Sequence, residues 1–142
     1  ASTEVKSFEH LICTEQLSRR LGFKVGEELI RVVRVRSLNG NARQVDHGYF
    51  LASIAKGLTP EIAADSIYGY LEHKRGVKVM ASRRTVSVEL ANDEDCSYLD
   101  LGKYNCVAVM ESQSYTSDGI LFEVTHARTH PEIFHYRVNS KR

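Results

Sequence analysis

Residues 30–50 read IRVVRVRSLNGNARQVDHGYF, two alternating runs joined at Asn39-Gly40-Asn41. An Asn/Gly junction between such runs is a strong short-range signal for a β-hairpin. Side chains two apart share a strand face, so Ile30, Val32, Arg34 and Arg36 form one row, apolar at one end and doubly cationic at the other. A three-residue loop sets Arg34 opposite Asp46 on that face, whereas a two-residue turn moves the pairing by one. Two adjacent guanidiniums facing a carboxylate suit a phosphorylated sugar. Read from these residues alone, a solvated strand face fits as well, because exposure is the default for arginine.

Upstream of the hairpin, Glu4 to Leu11 reads as a strand in which Val5, Ser7, Glu9 and Leu11 alternate against Lys6, Phe8 and His10. Thr14 is an N-cap for a short helix that Gly22 ends. Downstream, Thr59-Pro60-Glu61 opens a helix, and Asp65-Ser66 opens a second one that runs to Gly76. A helix starting at Ser66 presents free backbone N–H groups, which favour an anion. The longest strand pattern is Lys78 to Ala91, with Val86, Val88 and Leu90 on one side. Asn92 then caps a helix from Asp93 to Leu99 whose first turn is acidic. Asn105 to Tyr115 and Ile120 to Thr129 form another hairpin around Ser117-Asp118-Gly119. Phe134 to Val138 is expected to add a last strand. Antiparallel strands interrupted by helices predict an α+β fold.

A chain of 142 residues, 42% hydrophobic and 26% charged, has the length and composition of one globular domain. Its net charge of +1 supplies no general attraction to DNA or a membrane surface. No apolar run is long enough to span a bilayer, and the N-terminus lacks the form of a signal peptide. The three cysteines have no CxxC spacing, which points to reduced thiols and a cytoplasmic setting rather than a disulfide framework or zinc. His126 and His130 have the spacing of helical zinc ligands but fall on a strand and its end, without a HExxH glutamate. No GxSxG elbow and no GxxxxGK[ST] loop is present. These residues therefore call for no metal and no cofactor. Ser66 and Tyr68 place a hydroxyl at a helix start with a phenol nearby, although capping alone explains the serine. Arg83-Arg84 reads as a solvated edge.

The order of the segments LGFKVGEELIRVVRVR, VDHGYF, DSIYGYLEHKRGVKV, RRTVSVELANDEDCSYLDL and GILFEVTHARTHPEIFHYRV covers nearly the whole chain. In that order they resemble the UTRA domain, the effector-binding half of GntR-type transcription regulators of the HutC branch. The wording of SIYGYLEHKRGVKV and NDEDCSYLDLGKYN is most similar to trehalose-responsive members. The resemblance implies a chorismate-lyase-like fold, an antiparallel sheet with helices packed at its side. It also implies effector binding rather than catalysis, with a sugar phosphate, trehalose 6-phosphate in that branch, as the ligand. Operator DNA would be bound only through an N-terminal winged-helix domain, which is absent from residues 1–142, and two copies would pair as a homodimer. Carried onto this chain, the family's paired arginines fall on Arg34 and Arg36, its helix-start serine on Ser66 and the following aromatic on Tyr68. Its two sugar-facing acids fall on Asp46 and Glu123. Thr129 departs from the family, which commonly has tyrosine there. The chain also starts after the loop that usually contributes backbone groups to the phosphate.

Two other readings remain beside the effector domain. A chorismate-type lyase would share the fold, since fold does not fix function. A ligand-free dimerisation module would share it as well.

Overall fold

The computed structural model describes residues 1–141. A single six-stranded antiparallel sheet organises the chain, in the order β1-β2-β3-β6-β5-β4. Its strands are β1 (Ser2–Ile12), β2 (Glu28–Leu38), β3 (Asn41–Leu51), β4 (Val79–Leu90), β5 (Cys106–Thr116) and β6 (Leu121–Thr129). The helices are α1 (Glu15–Leu21), α2 (Pro60–Asp65), α3 (Ile67–Gly69), which runs on as a π-helical turn over Tyr70–Lys74, and α4 (Asp93–Tyr98).

The central hairpin resolves the question of register. Leu38 pairs with Asn41 across a two-residue turn, in which Asn39 and Gly40 both take positive φ (52° and 80°). Such a turn matches the twist of the flanking strands and requires residues that tolerate left-handed backbone. By itself it would misalign the arginine row. A bulge between Arg36 and Ser37, with Arg43 as the extra residue, restores Arg34 opposite Asp46.

Helices cover the two sheet faces differently. On the first face, Ile30, Val32 and Phe50 are buried in one cluster with Ala63, Ile67 and Leu71 from the α2–α3 segment. Each such large aliphatic side chain contributes about 1.5–3 kcal/mol on full burial. Gly48 sits on the same face because the Phe50 ring folds across it, and a Cβ there would meet that ring at 2.7 Å. On the second face, Val33, Val35 and Val45 pack with Leu99 and Leu101 around α4. Near the other end of that face, Gln113 donates to the Leu21 carbonyl at 3.2 Å and fastens α1.

The capping residues act as the sequence indicates. Thr14, Thr59, Ser66 and Asn92 each accept a backbone N–H of the helix that follows. Two expectations fail. The alternation of the first strand is broken by a bulge between Val5 and Ser7, which brings Val5 and Phe8 onto one face, opposite Arg34 and Val32. Burial of both apolar groups outweighs strict period two. Phe134 to Val138 forms no strand. Both edges of β6 are already taken by β3 and β5, so the chain leaving Thr129 meets no free ladder beside it.

Candidate functional site

Cross-strand pairing on the first face generates a polar patch where the α2–α3 cover stops. One row reads Arg34, Asp46, Ala127, Met110, and two rows along on the same face stand Ile30, Phe50, Glu123 and Ser114, with Val32, Gly48, Thr125 and Ser112 between them. Arg34 Nη2 pairs with Asp46 Oδ2 at 2.5 Å, and Arg34 Nη1 donates to the Ala63 carbonyl at 3.3 Å. The guanidinium thus ties β2 to both β3 and α2. Ser114 Oγ donates to Glu123 Oε1 at 3.3 Å from a buried position.

Glu123 has little else to satisfy it. Burial pushes its carboxyl above the ordinary value, opposed by the Ser114 hydrogen bond, reinforced by the Asp46 charge and relieved by Arg34. An ionised carboxylate offers several acceptor positions and no donor, so Glu123 retains capacity for hydroxyl donors. Tyr68 stands beside it on the exposed side. Its phenol is pushed up chiefly by the adjoining Glu72 carboxylate, with a smaller contribution from Glu123.

The other expected site residues are placed apart from this cluster. Arg36 lies beyond Arg34 on the same face, exposed, and forms no ion pair among the described residues. It lines a cleft of about 200 Å³ with Arg43, Gln44 and Ile133. Thr129, where a tyrosine was expected from the family pattern, is buried and accepts a 2.9 Å hydrogen bond from Gln44 Nε2. Ser66 is exposed, and its hydroxyl accepts from the Gly69 N–H at 3.0 Å. It borders a groove of about 630 Å³ with Glu61, Asp65 and Lys74. Arg34, Asp46 and Glu123 therefore form one group with Tyr68 at its border, Arg36 opens a second compartment, and Ser66 serves its own helix.

Ser114 is absent from the sequence-based site. Its only local signal is a hydroxyl at an inward position of an alternating strand, and its meeting with Glu123 requires the β5–β6 register. Among the described residues, no group of three or more His, Cys, Asp or Glu side chains is placed to hold a metal ion.

The raised Glu123 carboxyl has a consequence for stability. Between its ordinary value of 4.5 and the raised folded value, the native protein holds a proton that the unfolded chain has released. Stability from this group is complete below pH 4.5 and falls as pH rises through the folded pKa. Glu123→Gln is expected to remove that decline and to stabilise the ligand-free protein at neutral pH. Urea denaturation of both proteins at acidic and neutral pH measures this. A variant no more stable than wild type at neutral pH contradicts it.

Comparison with known proteins adds an independent line. The UTRA domain family model matches residues 1–135. The chain is similar to the HTH-type transcriptional regulator TreR of Bacillus subtilis (strain 168), 28% identical over 123 residues, spanning 87% of this chain and 52% of that protein. It is also similar to the uncharacterised HTH-type transcriptional regulator YydK of the same organism, 31% identical over 88 residues, spanning 62% of this chain and 37% of that protein. The solved effector binding domain of the B. subtilis trehalose repressor (TreR) superposes with a TM-score of 0.92 at 27% identity, covering 100% of this chain and 99% of that one. The YydK structure superposes at 0.89 with 24% identity, over 99% of this chain and 61% of that one, a likeness of fold. The chain spans about half the length of TreR and less of YydK.

Proposed function

This chain belongs to the UTRA domain family, and from that premise we propose that its first sheet face binds a phosphorylated sugar, trehalose 6-phosphate, as a repressor's effector. The relatives are transcriptional regulators rather than enzymes, which sets the lyase reading aside. The observation that carries the proposal is the polar patch itself, in which half-buried Glu123 and buried Asp46 interrupt a largely apolar face, with exposed Arg36 further along that face in an adjoining cleft. Sugar hydroxyls would donate to Glu123 and Asp46, with Ser114 and Tyr68 at the border. The phosphate would go to Arg36, whose guanidinium is uncommitted. Arg34 would add charge to the phosphate while holding Asp46 in place.

In this reading the domain works in the cytoplasm within a longer regulator, and operator DNA is bound by a winged-helix domain outside residues 1–142. Effector binding changes the spacing of paired DNA-binding domains and releases the operator. Among the described residues no helix is long and apolar enough to cross a membrane.

Calorimetric titration with trehalose 6-phosphate and with free trehalose tests the ligand. The phosphorylated sugar is expected to bind at least tenfold more tightly, and at a hundredfold excess over Kd to stabilise the fold by about 2.7 kcal/mol. Equal affinity for the two, or none for either, overturns the assignment. Arg36→Ala is expected to lower affinity at least tenfold, about 1.4 kcal/mol. Because Arg36 is exposed and unpaired, the unliganded variant should stay within about 0.5 kcal/mol of wild type. Unchanged affinity in this variant places the phosphate elsewhere.

A further inference from the structure

The hairpin that carries the arginine row also delivers Arg43, which has no part in the proposed effector site. Strict pairing outward from the Leu38–Asn41 closure would set Arg43 directly opposite Arg36, and like charges so placed destabilise a ladder. The bulge between Arg36 and Ser37 avoids this by pairing Arg36 with Gln44 and leaving Arg43 as the extra residue. Bulges next to binding sites re-aim a side chain. Here both guanidiniums come to border one cleft of about 200 Å³, joined by Gln44 and walled on its apolar side by Leu38 and Ile133.

Neither guanidinium is met closely by a carboxylate. Arg36 forms no ion pair among the described residues. The Arg43 side chain is only 20% exposed, yet its pairing with Glu132 spans 3.8 Å, beyond hydrogen-bond length. By contrast, Arg128 donates to Asp95 at 2.9 Å and to Glu89 at 2.8 Å. Two contacts hold Glu132 where it stands: its Oε1 accepts from the Tyr104 hydroxyl at 3.2 Å, and its N–H donates to His130 Nδ1 at 3.1 Å. Two under-neutralised forks in one small cleft suit an anion with several charged oxygens.

We propose that Arg43 is a second phosphate ligand beside Arg36, and that it reads the second negative charge of a phosphate monoester. Such a monoester carries nearly two charges at neutral pH on three acceptor oxygens. A sulfate ester offers three oxygens in the same shape but only one charge. One guanidinium offsets the first charge, and the other is repaid only by an anion that brings a second. The position of the sugar rests on the effector reading above, whereas the anion subsite is defined by the two arginines and is tested without a sugar.

Inorganic phosphate at millimolar concentration, followed through the arginine Nε–H signals by NMR, is expected to shift Arg36 and Arg43 together. An Arg43 signal that stays in place overturns the inference, and this measurement needs no variant. Calorimetry then compares trehalose 6-phosphate with trehalose 6-sulfate. The wild-type chain is expected to prefer the phosphate about tenfold, and Arg43→Gln to abolish that preference by weakening the phosphate ester alone. Circular dichroism melts verify that the variant remains folded. A merely structural role for Arg43 would weaken both esters alike, and that result overturns the inference, as does an Arg43→Gln chain that keeps the preference. Phosphate that moves both arginines while no sugar ester binds leaves the subsite standing and removes the effector assignment. Equal binding of trehalose 6-phosphate to wild type and Arg43→Gln does the reverse.

Discussion

Replacing Arg128 by alanine is expected to lower the stability of the ligand-free protein by about 3–5 kcal/mol, the usual cost of stripping the partner from a buried charge. Arg128 stands on β6, on the second sheet face. Its Nε and Nη2 each donate to the Asp95 carboxylate at 2.9 Å, and its Nη1 donates to Glu89 at 2.8 Å. Asp95 is fully buried and closes the capping box of α4 by accepting the Asn92 N–H at 3.0 Å. Without the guanidinium, that carboxylate remains in the interior with one hydrogen bond, and the start of α4 loosens with it. At roughly 2–4 °C per kcal/mol for a chain of this size, the melting temperature should drop by about 10 °C. Arg128→Lys should recover only part of the loss, because an ammonium cannot make the two-pronged contact. Urea denaturation measures the change, and a loss below about 1 kcal/mol would mean that Asp95 is held by its cap alone.

Arg34→Ala is expected to destabilise the ligand-free protein by about 2–4 kcal/mol, and this separates its role from that of Arg36. The side chains of Arg34 and Asp46 are only 16% and 11% exposed, so their ion pair is mostly withdrawn from water. The estimate is set below that for Arg128 because some solvent screening remains. Removing Arg34 also releases the Ala63 carbonyl on α2 and takes away the positive charge that offsets the effect of Asp46 on Glu123. The double variant Arg34→Ala/Asp46→Ala is expected to recover part of the lost stability, since it removes the stranded charge as well. Recovery in thermal melts would identify a structural pair. A single variant as stable as wild type would instead show that Arg34 is free for a ligand. Loss of the sugar-induced shift in Arg34→Ala alone therefore says little about direct contact, whereas the same loss in Arg36→Ala speaks to it.

Much of this architecture was readable before any coordinates. The Asn39-Gly40 turn, the caps at Thr14, Thr59, Ser66 and Asn92, and the Ser117-Asp118-Gly119 hairpin all rest on interactions within a few residues. Local backbone chemistry decides such features wherever the segment ends up. The α+β class followed from their order. The site was only partly readable. Arg34 and Asp46 belong to one hairpin, so their pairing could be posed as a question of turn length, and the answer lay in a bulge that no turn signal announces.

The sequence by itself determined the helix caps, the turns and the apolar faces of the strands that keep strict alternation, because hydrogen-bond caps, turn dihedrals and side-chain alternation act over one or two turns of chain. It did not determine the β1 bulge that turns Val5 and Phe8 to one face, or that residues 134–138 form no strand. Only the tertiary structure decided which faces meet. The strand order sets β6 between β3 and β5, and this carries Glu123 to Ser114 and into the field of Asp46. The same order brings Arg128 beneath α4 and leaves β4 at an open edge. Those encounters depend on register across segments far apart in the chain, where a shift of one residue turns every side chain to the other face.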